Sequence, residues 1–144
     1  MGNNSNTINI NMDFLENELS LIREGNTSIF KNSKYFVISP AINNDYNWFD
    51  LRKVNLLKYN SKVSFGYLLI RLKSEFILLK LDDVIDKLID NNKYIYTKSI
   101  GEHWKFNVIK KDNIIIIKSR SDVNKFIKTK VYEREELIDI FKCN

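Results

Sequence analysis

Cysteine, histidine, proline and alanine each occur once in this 144-residue chain, and glycine occurs four times. Each scarcity closes off a chemistry. One cysteine, Cys143, can form neither an internal disulfide nor a cysteine-rich zinc site. A reducing compartment, the cytoplasm, is therefore expected. One histidine, His103, has no cysteine partner and no G-x-S-x-G elbow beside it, so no histidine-based nucleophilic triad is predicted. Any zinc site would have to be completed by carboxylates alone, and no metal is expected. Gly2, Gly25, Gly66 and Gly101 stand far apart, which leaves no phosphate loop and no dinucleotide fingerprint. No cofactor is expected. Purely apolar runs such as IIII at 114–117 fall far short of the roughly 18 residues that a membrane helix needs. No charged-then-apolar opening with a small-residue cleavage site reads as a secretory signal. A membrane partner is not expected.

What is present suits a folded domain. The chain is 44% hydrophobic and 12% aromatic, a globular rather than a disordered composition. Isoleucine, asparagine and lysine are abundant, a bias typical of an AT-rich coding sequence, and it inflates the lysine count.

Residues 1–11, MGNNSNTININ, are polar without a period and read as a flexible tail, and residues 12–144 read as a single domain. MDFLENELSLIRE (12–24) predicts an N-terminal helix with Leu15, Leu19 and Ile22 on one face. Asn11 or Asp13 would cap it and Gly25 would end it. KYFVIS (34–39) predicts a strand stopped by Pro40. WFDLRKVNLLKYN (48–60) fits a short helix capped by Asp50, and alternation also fits a strand at its start. VSFGYLLIRLK (63–73) and EFILLKL (75–81) predict two antiparallel strands joined near Ser74. LDDVIDKLID (81–90) carries apolar residues at Leu81, Val84, Ile85, Leu88 and Ile89, the period of an amphipathic helix. Asp82 and Asp83 suit its first turn. KYIYTK (93–98) reads as a strand, and its extension to Gly101 lacks the first glycine and the spacing of a GIY-YIG nuclease motif.

GEHWKFNVIKKDNIIIIKS (101–119) alternates, turns at Lys111-Asp112-Asn113 and returns, which predicts a hairpin. With Trp104 and Phe106 pointing to the core, His103 is expected on the opposite, exposed face. Ser121 is read as capping a short turn over DVNKFIK (122–128). EREELIDIFK (133–142) predicts a C-terminal helix with Leu137, Ile138 and Phe141 inward. The fold class is α+β, with a largely antiparallel sheet and N-terminal, central (81–90) and C-terminal helices.

Charge supplies the functional lead. The net charge is +5. Between Lys98 and Arg134 ten basic residues face four acidic ones, and the rest of the chain sums to −1. Lys105, Lys110, Lys111, Lys118, Arg120, Lys125, Lys128 and Lys130 form a candidate phosphate-contacting set. His103 and Tyr132 are lesser candidates, the latter for stacking. A small non-enzymatic nucleic-acid-binding module is expected, in a prokaryotic or phage defence setting. No helix-turn-helix, RNP signature or zinc finger accompanies the charge. One alternative is a protein-binding inhibitor or immunity protein that uses Tyr46, Trp48 and Phe49 against a protein target. The other is a nuclease with a carboxylate metal site, although the strand interiors carry Arg71, Lys80 and Lys118 in place of acids.

Overall fold

The runs YFVI, FGYLLIR and FILLK are apolar at nearly every position, and such strands need cover on both faces. Along the first strand of the hairpin, HWKFNV at 103–108, the apolar residues alternate instead, which calls for cover on one face only. A computed structural model, which describes residues 11–42 and 47–142, meets both demands with two sheets.

In chain order the elements begin α1 (Phe14–Glu18), β1 (Ile22–Arg23), β2 (Ile29–Lys31), β3 (Tyr35–Ile38), β4 (Trp48–Arg52), α2 (Lys53–Leu56), β5 (Phe65–Arg71) and β6 (Phe76–Lys80). They continue α3 (Leu81–Leu88), β7 (Ile95–Thr97), β8 (Gly101–Lys111), β9 (Ile114–Ser119), β10 (Phe126–Thr129), β11 (Val131–Tyr132) and α4 (Arg134–Lys142). The first sheet runs β1-β2-β3-β5-β6-β11, and the second runs β10-β9-β8-β4 with β7 also on β8. Among these strand pairings only β3 with β5 is parallel. The protein is thus α+β with two mostly antiparallel sheets.

Two clusters explain the layering. Phe14, Leu15, Leu137 and Phe141 of α1 and α4 cover one face of the first sheet through Phe30, Val37, Leu69 and Phe76. The other face, with Phe36, Ile38, Leu68, Ile70 and Ile77, meets Phe49, Leu51, Trp104, Phe106, Ile115 and Ile117 of the second sheet. Leu81, Val84 and Leu88 of α3 join this cluster, as the period of that segment predicts. Burying side chains of this size stabilises by about 1.5–3 kcal/mol each.

Three sequence expectations are corrected. The N-terminal helix is shorter than 12–24: α1 is π-helical and ends with Leu19 donating to the Phe14 carbonyl. Ser20 then takes φ 58°, after which Leu21 is buried and Ile22 lies exposed in β1. Pairing of Ile22 and Arg23 with Lys31 and Phe30 overrides the helical period, and Gly25 serves the β1–β2 turn at φ 54°. Asn11 is anchored rather than loose, since its Nδ2 donates to the Leu72 carbonyl at 2.9 Å; residues 1–10 of the expected tail lie outside the described residues. Finally, Phe126–Thr129 is no turn but strand β10, held by Ile115–Lys118 of β9.

Candidate functional site

The hairpin forms as its alternation predicts. Val108 pairs with Ile117 and Lys111 with Ile114, and Asp112 takes φ 55° at the turn. The neighbours of this hairpin decide which side chains its outer face presents together. On one edge β4 lays Trp48 opposite Asn107 and Asp50 opposite Lys105. On the other, β10 lays Phe126 opposite Lys118 and Lys128 opposite Ile116.

Register sorts these side chains by face, because paired residues share a side. Phe49, Leu51, Trp104, Phe106, Ile115 and Ile117 face inward and are buried. The outer face carries two cross-strand rows. One is Trp48, Asn107, Lys118 and Phe126; the other is Ile109, Ile116 and Lys128. Lys105 and Arg52 lie below the first row, and Lys111 and Ile114 lie at the hairpin tip. Arg120 continues the alternation: its N–H donates to the Lys105 carbonyl at 3.0 Å.

This face is unlike an ordinary solvated one. Among the described residues it gathers Arg52, Lys105, Lys111, Lys118, Arg120 and Lys128 against a single carboxylate, Asp50. Lys105 Nζ is 4.0 Å from Asp50 Oδ2 and sits 4.0 Å from the centre of the Trp48 ring. Among the described residues the other five cations have no ion pair. Phe126 is 48% exposed and Ile114 is 49% exposed. Neither hydrophobic cluster reaches this face among the described residues.

The expected basic set is only partly brought together. Lys105, Lys111, Lys118, Arg120 and Lys128 share the face. Lys110 pairs opposite Ile115, on the inner side, and reaches Glu75 at 3.8 Å. Lys125 lies in the β9–β10 loop, where its N–H donates to the Asp122 carbonyl. The bond that Asp122 accepts from the Asn124 backbone, and then Lys93, lowers the Asp122 pKa. Lys130 is bound to Glu136, which raises its pKa, and its ammonium lies 4.4 Å from the centre of the Tyr132 ring. Tyr132 belongs to β11 in the first sheet.

Two candidates are corrected outright. His103 is 1% exposed, contrary to its expected solvent-facing position. Arg52 and Ile95 flank it on the two edges of β8, and its Nδ1 lies 2.9 Å from the Gly101 carbonyl oxygen. No phosphate reaches it there. Phe49 is 3% exposed and stacks on Phe106 at 5.3 Å, so it is a core residue and not an interface one. Tyr46 lies outside the described residues, as does Cys143.

Arg52, Asn107, Ile109, Ile116 and Phe126 escaped the sequence reading. Alternation alone could have placed each on a face. Nothing in the sequence says that β4 and β10 flank the hairpin.

A carboxylate site fares differently. Among the described residues no three His, Cys, Asp or Glu side chains come within reach of one metal ion. An open groove of about 740 Å³ at the β1 end of the first sheet contains Glu24. Lys31 at 2.7 Å and Lys58 at 2.6 Å hold the Glu24 carboxyl down at about 2, the opposite of a general acid. The chain matches no family model, no curated protein and no solved structure.

Proposed function

We propose that this protein binds nucleic acid by laying the outer face of its second sheet against the phosphate backbone. One observation carries the reading: among the described residues, six cations and one carboxylate share a sheet face that neither hydrophobic cluster covers. Phosphate binding needs several lysines or arginines on one surface, because each contact releases condensed counterions. Lys118 on the central strand β9 and Lys128 on the edge strand β10 beside it have no acidic partner among the described residues. They are the principal phosphate contacts, with Lys105, Lys111, Arg52 and Arg120 around them.

The test is binding of labelled polynucleotide at two salt concentrations. Affinity is expected to fall steeply with salt. The double variant Lys118→Glu, Lys128→Glu should reduce the logarithmic salt slope by about 1.4–1.8, two contacts at roughly 0.7–0.9 each. No binding at low salt overturns the proposal.

A second reading keeps the same surface. Ile109, Ile114, Ile116, Trp48 and Phe126 add apolar area to the charge, and that mixture also suits an acidic protein target. An inhibitor or immunity function would then use Trp48 without Phe49.

A further inference from the structure

We infer that the ligand of this face is a single-stranded polynucleotide whose bases stack on Phe126 and Trp48. This inference rests on the nucleic-acid reading above and adds the class of substrate. It follows from the shape of the face and from the row Trp48, Asn107, Lys118, Phe126, one residue from each of four neighbouring strands. Neighbouring strands lie about 4.8 Å apart, so the two rings are separated by about 14 Å across a sheet.

A duplex would meet such a surface through its backbone alone. Its major groove, about 12 Å wide, admits a helix or a two-stranded ribbon. Both rings stand on outer strands of a four-strand face, too broad to enter it. The bases of a duplex are also stacked on one another and offer no free ring face. A single strand offers both bases and phosphates, and the row presents both kinds of partner in order. Phe126, half exposed, supplies one stacking platform beside the Lys118 ammonium. Asn107 supplies a donor and an acceptor for a base edge. Trp48 supplies the second platform.

The Trp48 ring already holds the Lys105 ammonium 4.0 Å from its centre, and Lys105 is only loosely held by Asp50 at 4.0 Å. A base that seats on the indole moves the ammonium aside onto its own phosphate. The lysine exchanges a ring for an anion. Ile109 and Ile116 in the next row cover the apolar edges of sugar and base, with Lys128 beyond them.

The experiment uses the full chain, a short mixed-sequence RNA, the corresponding DNA strand, and the DNA duplex. Anisotropy reads affinity, and tryptophan emission reads stacking. The chain has two tryptophans. Trp104 is 2% exposed, and its Nε1 donates to the Asp90 carbonyl, so it is insulated from ligand. Single strands are expected to bind about tenfold or more tighter than the duplex. They should quench emission in the native chain but not in Trp48→Phe. Phe126→Ala should weaken single-strand binding roughly five- to a hundredfold, the range of one lost base stack. Phe126→Leu keeps the apolar bulk and the strand, so it should lose affinity with the fold intact.

The possible failures separate cleanly. Duplex binding as tight as single-strand binding, with no quenching and with Phe126→Leu unchanged, overturns this inference and leaves the phosphate-binding face standing. No binding to any polynucleotide removes both, and points to the protein target.

Discussion

Arg71 lies in β5 at 7% exposure with no ion pair among the described residues. Its Nε donates to the Ser39 hydroxyl and its Nη2 to the Ser39 carbonyl, each at 3.1 Å, while Nη1 finds no partner among the described residues. Burial first, and the charge of Arg23 second, bring its pKa down to about 10, so it stays protonated at neutral pH. A buried charge of this kind gives little net stability, yet its hydrogen bonds tie Ser39, at the end of β3, to β5. Arg71→Ala should therefore cost about 2–4 kcal/mol in urea unfolding, through the cavity and the orphaned acceptors. Arg71→Met should stay within about 1 kcal/mol of the native protein, because it removes the desolvated charge and keeps the volume.

Glu24 sets a pH dependence. Its carboxyl ordinarily titrates near 4.5, and hydrogen bonds from Lys31 and Lys58 lower it to about 2 in the fold. The stability this contributes is present above about 4.5 and is lost as pH falls toward 2. Glu24→Gln should flatten that part of a melting-temperature profile. The difference should shrink in high salt, since the groups are exposed and screened.

At the scale of the element, the four isoleucines 114–117 of β9 test the face assignment. Ile115 and Ile117 are buried at 1% and 0%, whereas Ile114 and Ile116 lie on the outer side. Four chemically identical residues thus divide by register alone. Ile117→Ala should destabilise by about 2–5 kcal/mol, and Ile116→Ala by less than about 1 kcal/mol. Denaturant titration of the two variants reads the difference directly. Equal effects would mean that the outer face is covered. The hairpin and α3 were legible because each repeats one period over many residues. The short strands β1, β2 and β10 were not. Runs of two to four residues carry too few positions to show alternation, and their pairing partners stabilise them more than their own sequence does.

At the scale of the whole molecule, the question is whether net charge or one face attracts the ligand. Steering by overall charge depends weakly on where the lysines are, and contact depends on it strongly. Lys62 and Lys73 are exposed and lie outside the second sheet. Lys62→Glu with Lys73→Glu changes the net charge as much as Lys118→Glu with Lys128→Glu. Only the latter pair should weaken binding by more than about tenfold. Similar losses from both pairs would mean that the face has no special role. The candidate site was half legible at this scale. The excess of lysine after Lys98 pointed to the third of the chain that supplies most of the cations on this face. It also drew in Lys110 and Lys130, which the fold pairs with Glu75 and Glu136, and His103, which it buries.

By itself the sequence determined the α+β class, the hairpin, the central and C-terminal helices and the inward side of β8. All of these depend on local periodicity and turn chemistry, which adjacent residues carry. Tertiary structure alone decided that β4 and β10 flank the hairpin and bring Trp48, Asn107, Lys118 and Phe126 into one row across 79 positions of chain. It also decided that α1 and α4 shield the first sheet, while among the described residues neither hydrophobic cluster reaches the outer face of the second. Strand order is a choice among distant partners. It is settled by how two sheets and four helices bury their apolar faces together, and no local pattern records that choice.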